Sequence, residues 1–316
     1  MFCTSVKAFC KESFSEKGVM AFKNIYIDVQ YIYHRIAGPE YILKKMFKEK
    51  IGHKLNLDNP TTFNEKLQWL KLHDHNPLYT TMVDKYAVKK YIAEKIGEKY
   101  IIPTFGVWEH FDEIGFNKLP DKFVLKCTHD SGSVVVINDK SKADMYEVKK
   151  KLEFGLKHNY YYSCFEWPYK DVPPKIIAEK FMENHDNSSG NLSGLVDYKF
   201  YCFQGVPKFL YISQGLGGDH KLAKMNFLDL NWKRTSFQRP DFAEFSEQEL
   251  PVCPSKFELM LEFAEIFSRN IPFLRVDMYF IDGEIYISEL TFYPGAGFTP
   301  FYPYIWEEKI GNWIEL

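Results

Sequence analysis

The stretch Phe273–Gly297, F-L-R-V-D-M-Y-F-I-D-G-E-I-Y-I-S-E-L-T-F-Y-P-G-A-G, narrows the possible folds more than any other part of the chain. It reads as a β-hairpin carrying Arg275, Asp277, Glu289 and Thr291, all at odd positions. Strand side chains alternate between faces, so Arg275 shares a face with Asp277, and Glu289 shares one with Thr291. The turn decides whether those two faces coincide. A two-residue turn at Asp282-Gly283 sets Asp277 opposite Ser288 and points Glu289 away. A three-residue loop, Asp282–Glu284, sets Asp277 opposite Glu289 and Arg275 opposite Thr291. Only the second register gathers two carboxylates, a hydroxyl and a guanidinium, the set that a hard divalent cation and anionic oxygens require.

The rest of the chain can be read as the supply of other parts to this hairpin. Its 316 residues suffice for two domains or for one domain of several lobes. Aromatic residues make up 17%, which favours large aromatic cores and flat ligand platforms. The net charge of −2 argues against nucleic acid as a partner. Six scattered cysteines form no C-x-x-C pair, so a zinc site is not expected. The opening residues hold no apolar run of signal length, and no stretch nears the roughly 18 apolar residues of a membrane span. The expected location is the cytoplasm, with reduced thiols.

Residues 1–20 read as a frayed start. Residues 21–50 read as two amphipathic helices broken at Gly38-Pro39. Their aromatics, interleaved with Lys and Arg, would suit peripheral membrane contact, and packing on the chain's own domain is the plainer reading. Thr62-Phe63-Asn64-Glu65 is a capping box, with Phe63, Leu67 and Leu70 at helical spacing behind it. His73-Asp74-His75 lacks a third ligand nearby and reads as a turn. A helix is expected over Asp84–Gly97 and an extended piece over Ile101–Val107. Short β runs fill residues 121–316, with helices near Lys142–His158 and Lys256–Arg269.

Three further segments carry chemistry. Phe123–Cys127, Thr128–Ser133 and Val134–Ile137 read as strand, small polar loop and strand, with Lys126 beside a loop whose N–H groups can cradle phosphate. The order is not that of a Walker A loop. Pro173–Met182 is an apolar strand ending in Glu179-Lys180-Phe181-Met182, an exit able to offer backbone groups to a base edge. Val196–Phe203 and Lys208–Ile212 form a hairpin around a turn at Gln204–Pro207, with Lys199 on the face of Asp197 and Tyr201.

In that order, these parts resemble the ATP-grasp fold. Asn59-Pro-Thr-Thr-Phe-Asn-Glu-Lys-Leu-Gln-Trp-Leu-Lys71, followed by Asp84-Lys-Tyr-Ala-Val88, is similar to the TupA-like ATP-grasp family, over roughly Lys54 to Pro303. That family is associated with teichuronopeptide and surface-polysaccharide gene clusters, and its members are often labelled glycosyltransferases. The resemblance implies an α+β chain of two lobes clasping ATP. Residues 1–80 would be a helical N-terminal region and 81–120 a small connecting segment. Residues 121–182 would be the lid lobe, and 183–316 the C-terminal lobe. Lys126 and Lys199 would hold the ATP phosphates, and Ser131-Gly132-Ser133 would close over the γ-phosphate. Glu179 and the backbone of Lys180, Phe181 and Met182 would read adenine, and Asp186 the ribose. Asp277, Glu289 and Thr291 would bind Mg²⁺, Thr291 standing where many relatives have Asn. Arg275, with Lys199, would stabilise the transferred phosphoryl group.

An acceptor site is expected between Lys199–Ile212 and the locally basic stretch Gln214–Pro240, through His220, Lys221, Lys224 and Arg234. Tyr160–Tyr162, Trp167 and Tyr169 could stack on sugar rings. The implied reaction is amide formation between a uronic acid unit of a polysaccharide precursor and an amino acid or amine. The alternatives are a glycosyltransferase, for which no D-x-D is present, and a sugar kinase of ATP-grasp type.

Overall fold

The computed structural model describes residues 16–184, 194–215, 223–239 and 241–316. The chain opens with α1 (Glu16–Ala37) and α2 (Pro39–Ile51). Gly38 separates them at φ 80, a left-handed value that Gly adopts without strain, and Pro39 starts the second helix. Then comes α3 (Phe63–His73), where Thr62 Oγ1 accepts the Glu65 N–H and Glu65 reaches back to the Thr62 N–H, as the capping box requires. α4 spans Ala87–Ile96, and α5 spans Met145–Lys157. Asp144 caps α5 by accepting the N–H groups of Tyr146 and Glu147, which fixes its start later than the helical pattern alone suggests. α6 (Phe257–Ser268) and α7 (Ile305–Gly311) complete the helices used below.

The strands β1 (Thr104–Trp108), β2 (Phe123–Cys127), β3 (Val134–Ile137) and β4 (Ile176–Lys180) form one antiparallel sheet in the order β1-β4-β2-β3. A second antiparallel sheet runs β7-β6-β5-β8-β9, from β5 (Val196–Phe203), β6 (Val206–Gln214), β7 (Lys224–Leu228), β8 (Phe273–Ile281) and β9 (Glu284–Thr291). The β5–β6 turn is only Gln204-Gly205, shorter than expected, and a bulge at Tyr201/Cys202 absorbs the difference. Each sheet has its own core. Phe123, Leu125, Ile176 and Leu152 pack under the first. The larger core lies about the second sheet and is strongly aromatic. α1 and α2 close on a third cluster with Phe47, Phe165 and Phe298. Among the described residues, no helix is long and apolar enough to cross a membrane.

The second sheet divides its two faces by residue parity. Phe200, on one face, meets Phe257 of α6 with ring centroids 5.8 Å apart. On the other face Phe203 and Phe273 meet, and Phe63 of α3 stands 5.0 Å from Phe273. Further along that same face, the residues at the same parity are Lys199, Arg275 and Asp277. One sheet face is therefore an aromatic core at one end and a charged surface at the other.

Candidate active site

The hairpin reaches the register that gathers its charged groups, with Asp277 opposite Glu289 and Arg275 opposite Thr291. It does so by a different route from a three-residue loop. Ile281 pairs with Glu284, so the turn is the two residues Asp282 and Gly283, at φ 51 and 81. Positive φ at both positions is the requirement of a type I′ turn, and Asp-Gly satisfies it. Further along, Met278 pairs with Ile287 while Asp277 pairs with Glu289, leaving Ser288 as the extra residue of a β-bulge. The bulge adds the residue that the short turn omits.

Asp277 is fully buried at the centre of the charged end. Arg275 grips it with two bonds, Nε to Oδ1 and Nη2 to Oδ2, both 2.7 Å. Arg275 Nη2 also donates to Thr291 Oγ1 at 3.1 Å and approaches Glu289 Oε2 at 3.9 Å. Lys199, opposite Asp277 on β5, places Nζ 3.1 Å from Asp277 Oδ2 and 3.0 Å from Asp197 Oδ1. Burial opposes the Lys199 charge, but Asp197 and Asp277 together outweigh it and hold the ammonium above the ordinary lysine range. Arg275 follows the same pattern: burial works against its charge and Asp277 prevails.

The first sheet supplies the facing wall. Lys126 on β2 and Lys89 on α4 each place Nζ 2.6 Å from the buried carboxylate of Glu179, one on each oxygen. Burial alone would raise the Glu179 carboxyl, yet Lys126 and Lys89 bring it below the usual range. Glu179 therefore positions Lys126, a structural task that the adenine reading did not anticipate. The Lys180 N–H is bonded to the Pro103 carbonyl at 2.9 Å. Phe181 and Met182 follow the end of β4.

The polar loop Ser131–Ser133 joins β2 to β3 as expected. Lys85 Nζ donates to the Asp130 carbonyl at its base. Gly132 sits at φ +125 with open space around it, and Tyr160 bonds the Ser131 side chain. Ser133 is buried against α5 at Gly155, where a Cβ would lie 2.3 Å from Ser133 Oγ.

Both walls meet in a cleft of about 330 Å³, which brings together Lys126, Ser131, Gly132, Glu179, Lys199, Asp277 and Glu289. Val88, Ile92, Ile101 and Ile102 give it an apolar side. Behind it, burial pushes Glu166 up to about 7; Lys71 pulls the other way and Glu289 adds to the rise. Two basic residues expected at an acceptor site do not reach the cleft. Lys224 pairs with Glu249, and Arg234 with Glu244 at 2.9 Å and Glu247 at 3.2 Å. Local basicity there serves β7 and its flanking loop. Asp186, His220 and Lys221 lie outside the described residues.

Four participants had no place in the expected site: Lys85, Lys89, Asp197 and Glu166. Lys85 sits in the family-like Asp84–Val88 stretch, and Asp197 is one strand period from Lys199, so both left a signal. Lys89 and Glu166 left none, because their roles depend on helix and loop placement. Among the described residues, no three His, Cys, Asp or Glu side chains form a metal cage. Of the three expected ligands Glu289 is the one open to a hard cation completed by phosphate oxygens; Asp277 and Thr291 could join it only once Arg275, which holds both Asp277 oxygens and the Thr291 hydroxyl, moves off them. Glu289 is 38% exposed in the cleft, opposite Asp277, and Mg²⁺ commonly takes only one or two carboxylates beside a nucleotide.

The model of the TupA-like ATP-grasp family matches residues 65–315. Among curated proteins, none matches the chain. Solved structures similar to it include the D-alanine–D-alanine ligase of Bacillus anthracis complexed with ATP, at 16% identity, over 67% of this chain and 55% of that one, with a TM-score of 0.38. The D-alanine–D-alanine ligase of Helicobacter pylori aligns at 14% identity over 80% and 69% of the two chains, with a TM-score of 0.40. The VanG D-Ala:D-Ser ligase of Enterococcus faecalis aligns at 14% identity over 77% and 58%, also at 0.40. The matched part thus spans little more than half of the first of these enzymes, and superpositions this loose decide nothing about the substrate of this chain.

Proposed function

The chain belongs to the TupA-like ATP-grasp family, and we propose that it is an ATP-dependent ligase. It would join an amino acid or amine to a uronic acid unit of a surface-polysaccharide precursor, in the cytoplasm. The observation that carries this reading is the cleft itself. Lysines from two separate sheets face one another across it, beside paired carboxylates and a half-buried arginine. A structural ion-pair network would need no 330 Å³ space at its centre.

In this reading Lys126 and Lys199 bind the phosphates of ATP, and Glu179 holds Lys126 in its rotamer. Val88, Ile92, Ile101 and Ile102 pack on the base, with the chain at Lys180–Met182 reading its edge and Asp186 holding the ribose. Asp277, Glu289 and Thr291 would hold Mg²⁺, which when bound neutralises phosphate charge. A carboxylate oxygen of the acceptor attacks the γ-phosphorus, the bond to the β–γ bridging oxygen breaks, and ADP leaves. Arg275 stabilises the charge on the transferred group. The amine nitrogen then attacks the acyl-phosphate carbon, phosphate departs, and the nitrogen gives up a proton as the amide forms. The loop Ser131–Ser133 excludes water between the two steps.

A phosphate-release assay with ATP, Mg²⁺, a UDP-uronic acid and a panel of amines tests this. Release that requires both carboxylate and amine is expected. ADP formed with a sugar hydroxyl alone, together with a phosphosugar by mass spectrometry, would replace the ligase by a kinase. Sugar transfer without ATP would replace it by a glycosyltransferase.

A further inference from the structure

The cleft has a larger neighbour. A groove of about 1430 Å³ lies between α1, α2 and α5. Ser131 and Gly132 line both spaces, so the loop over the phosphates has one side in each. We propose that this groove is the acceptor site and that it takes an extended, carboxylate-bearing carbohydrate chain, delivered to the nucleotide past Ser131 and Gly132. The inference rests on the ligase reading and adds where the acceptor binds and how long it is.

Size gives the first argument. Pockets for single small molecules measure about 300–1,000 Å³, and this groove exceeds that range while remaining open. An amino acid or one sugar would leave it mostly filled with water. The lining gives the second. Tyr26, Tyr31 and Tyr33 project from α1, and Tyr160 stands at the end nearest the loop. A sugar ring has C–H faces and hydroxyl edges, and a tyrosine offers a flat apolar face with a polar tip. Asn24 and Gln30 add amide donors and acceptors between the rings. Lys45, 5.3 Å from the Tyr33 ring centroid, and Lys150, 3.6 Å from Glu147, supply cations among the acids Glu49, Asp130 and Glu147 that share the lining, so a carboxylate-bearing chain would compete with Glu147 for Lys150.

Connectivity gives the third argument. Tyr160 bonds Ser131, so an occupant at that end touches the loop that covers the phosphates. α1 is fastened over the groove by two bonds, His158 Nε2 with Asp28 Oδ1 and His34 Nδ1 with the Tyr162 carbonyl, both 2.7 Å. These fastenings give the N-terminal helices a task.

The test is calorimetric titration of the full chain with monogalacturonate and hexagalacturonate, and separately with ATP and Mg²⁺. The hexamer should bind at least about tenfold more tightly than the monomer. Tyr33→Ala and Lys150→Ala should each weaken hexamer binding by about tenfold, near the value of one stacked ring or one desolvated ion pair, and leave ATP binding unchanged. Tyr33 is 41% exposed, so its removal spares the fold. Equal affinity for the two sugars, no sugar binding, or hexamer binding indifferent to both substitutions overturns the proposal while ATP still binds. Failure of the unaltered chain to bind ATP removes the ligase reading, and the acceptor site with it.

Discussion

Asp277→Asn and Glu289→Gln separate two carboxylates that share one proposed cation but differ in what else they hold. Asp277 is fully buried and accepts both guanidinium bonds of Arg275 at 2.7 Å, with Lys199 at 3.1 Å. Asparagine keeps the shape but leaves Arg275 and Lys199 with one anion fewer at a position that is itself fully buried. Removing one partner of a buried pair costs about 3–5 kcal/mol. Lys199 keeps Asp197 at 3.0 Å, so the loss should fall near ~3 kcal/mol, the lower end of that range. Glu289 is 38% exposed, and its approach to Arg275 is 3.9 Å, so Glu289→Gln should cost under ~1 kcal/mol. Both variants should lose phosphate release, because each removes a charge from the proposed metal site. The measurement pairs urea unfolding, extrapolated linearly to water, with the phosphate-release assay. Equal destabilisation by the two variants would refute the assignment of separate roles. Turnover near that of the unaltered chain in Glu289→Gln would refute the site.

Three further outcomes follow from the same geometry. Glu179→Gln removes the anion shared by Lys89 and Lys126, both at 2.6 Å, and should raise the KM for ATP by roughly tenfold in initial-rate measurements, the equivalent of ~1.4 kcal/mol. Gly155→Ala brings a Cβ within 2.3 Å of Ser133 Oγ and 2.9 Å of Cys127 Sγ, so overpacking should cost about 1–3 kcal/mol and lower Tm in a thermal melt. Burial pushes the Glu307 carboxyl up from 4.5 to about 7, against its bonds from Phe301 and Asn64. The folded chain then holds this proton more tightly than the unfolded one. Its contribution to stability is complete below pH 4.5 and is lost as pH rises through about 7. Urea midpoints should fall over that window, by the equivalent of roughly 3 kcal/mol at ~1.4 kcal/mol per pH unit, and Glu307→Gln should flatten the slope.

Much of this was legible in the residues, for reasons that differ by element. α3 announced itself because Thr62 and Glu65 satisfy each other's backbone partners locally. The break at Gly38-Pro39 is equally local, since the two residues together demand a chain that cannot continue a helix. The chemistry of Lys126, Lys199, Arg275 and Asp277 was readable because strand alternation fixes which side chains share a face. What escaped were contacts between elements far apart in the chain. Lys89 meets Glu179 only because α4, packed through Val88 and Ile92 into the larger core, brings it to β4, and the charge of Lys224 is met by Glu249 on a distant turn. Local basicity suggested a site there, and both cations turn out to be paired with acids further along the chain.

The hairpin register shows where such reading stops. Asp282-Gly283 is a strong two-residue turn signal, and taken alone it places Glu289 on the wrong face. The chemistry of the four side chains demanded the opposite face, and the simplest way to obtain it was a longer loop. The structure keeps the turn that the local sequence prefers and corrects the parity further along β9, at Ser288. A bulge leaves little trace in sequence, because the extra residue needs no special side chain and only its position along the strand matters. Its placement has a mechanical sense. Because the bulge lies beside Asp277 and Glu289, the pair that must face the cleft is set next to the correction, and the regular ladder from Met278 to Ile281 absorbs none of it. Turn preference and site chemistry are thus both satisfied, and neither one alone would have predicted the other.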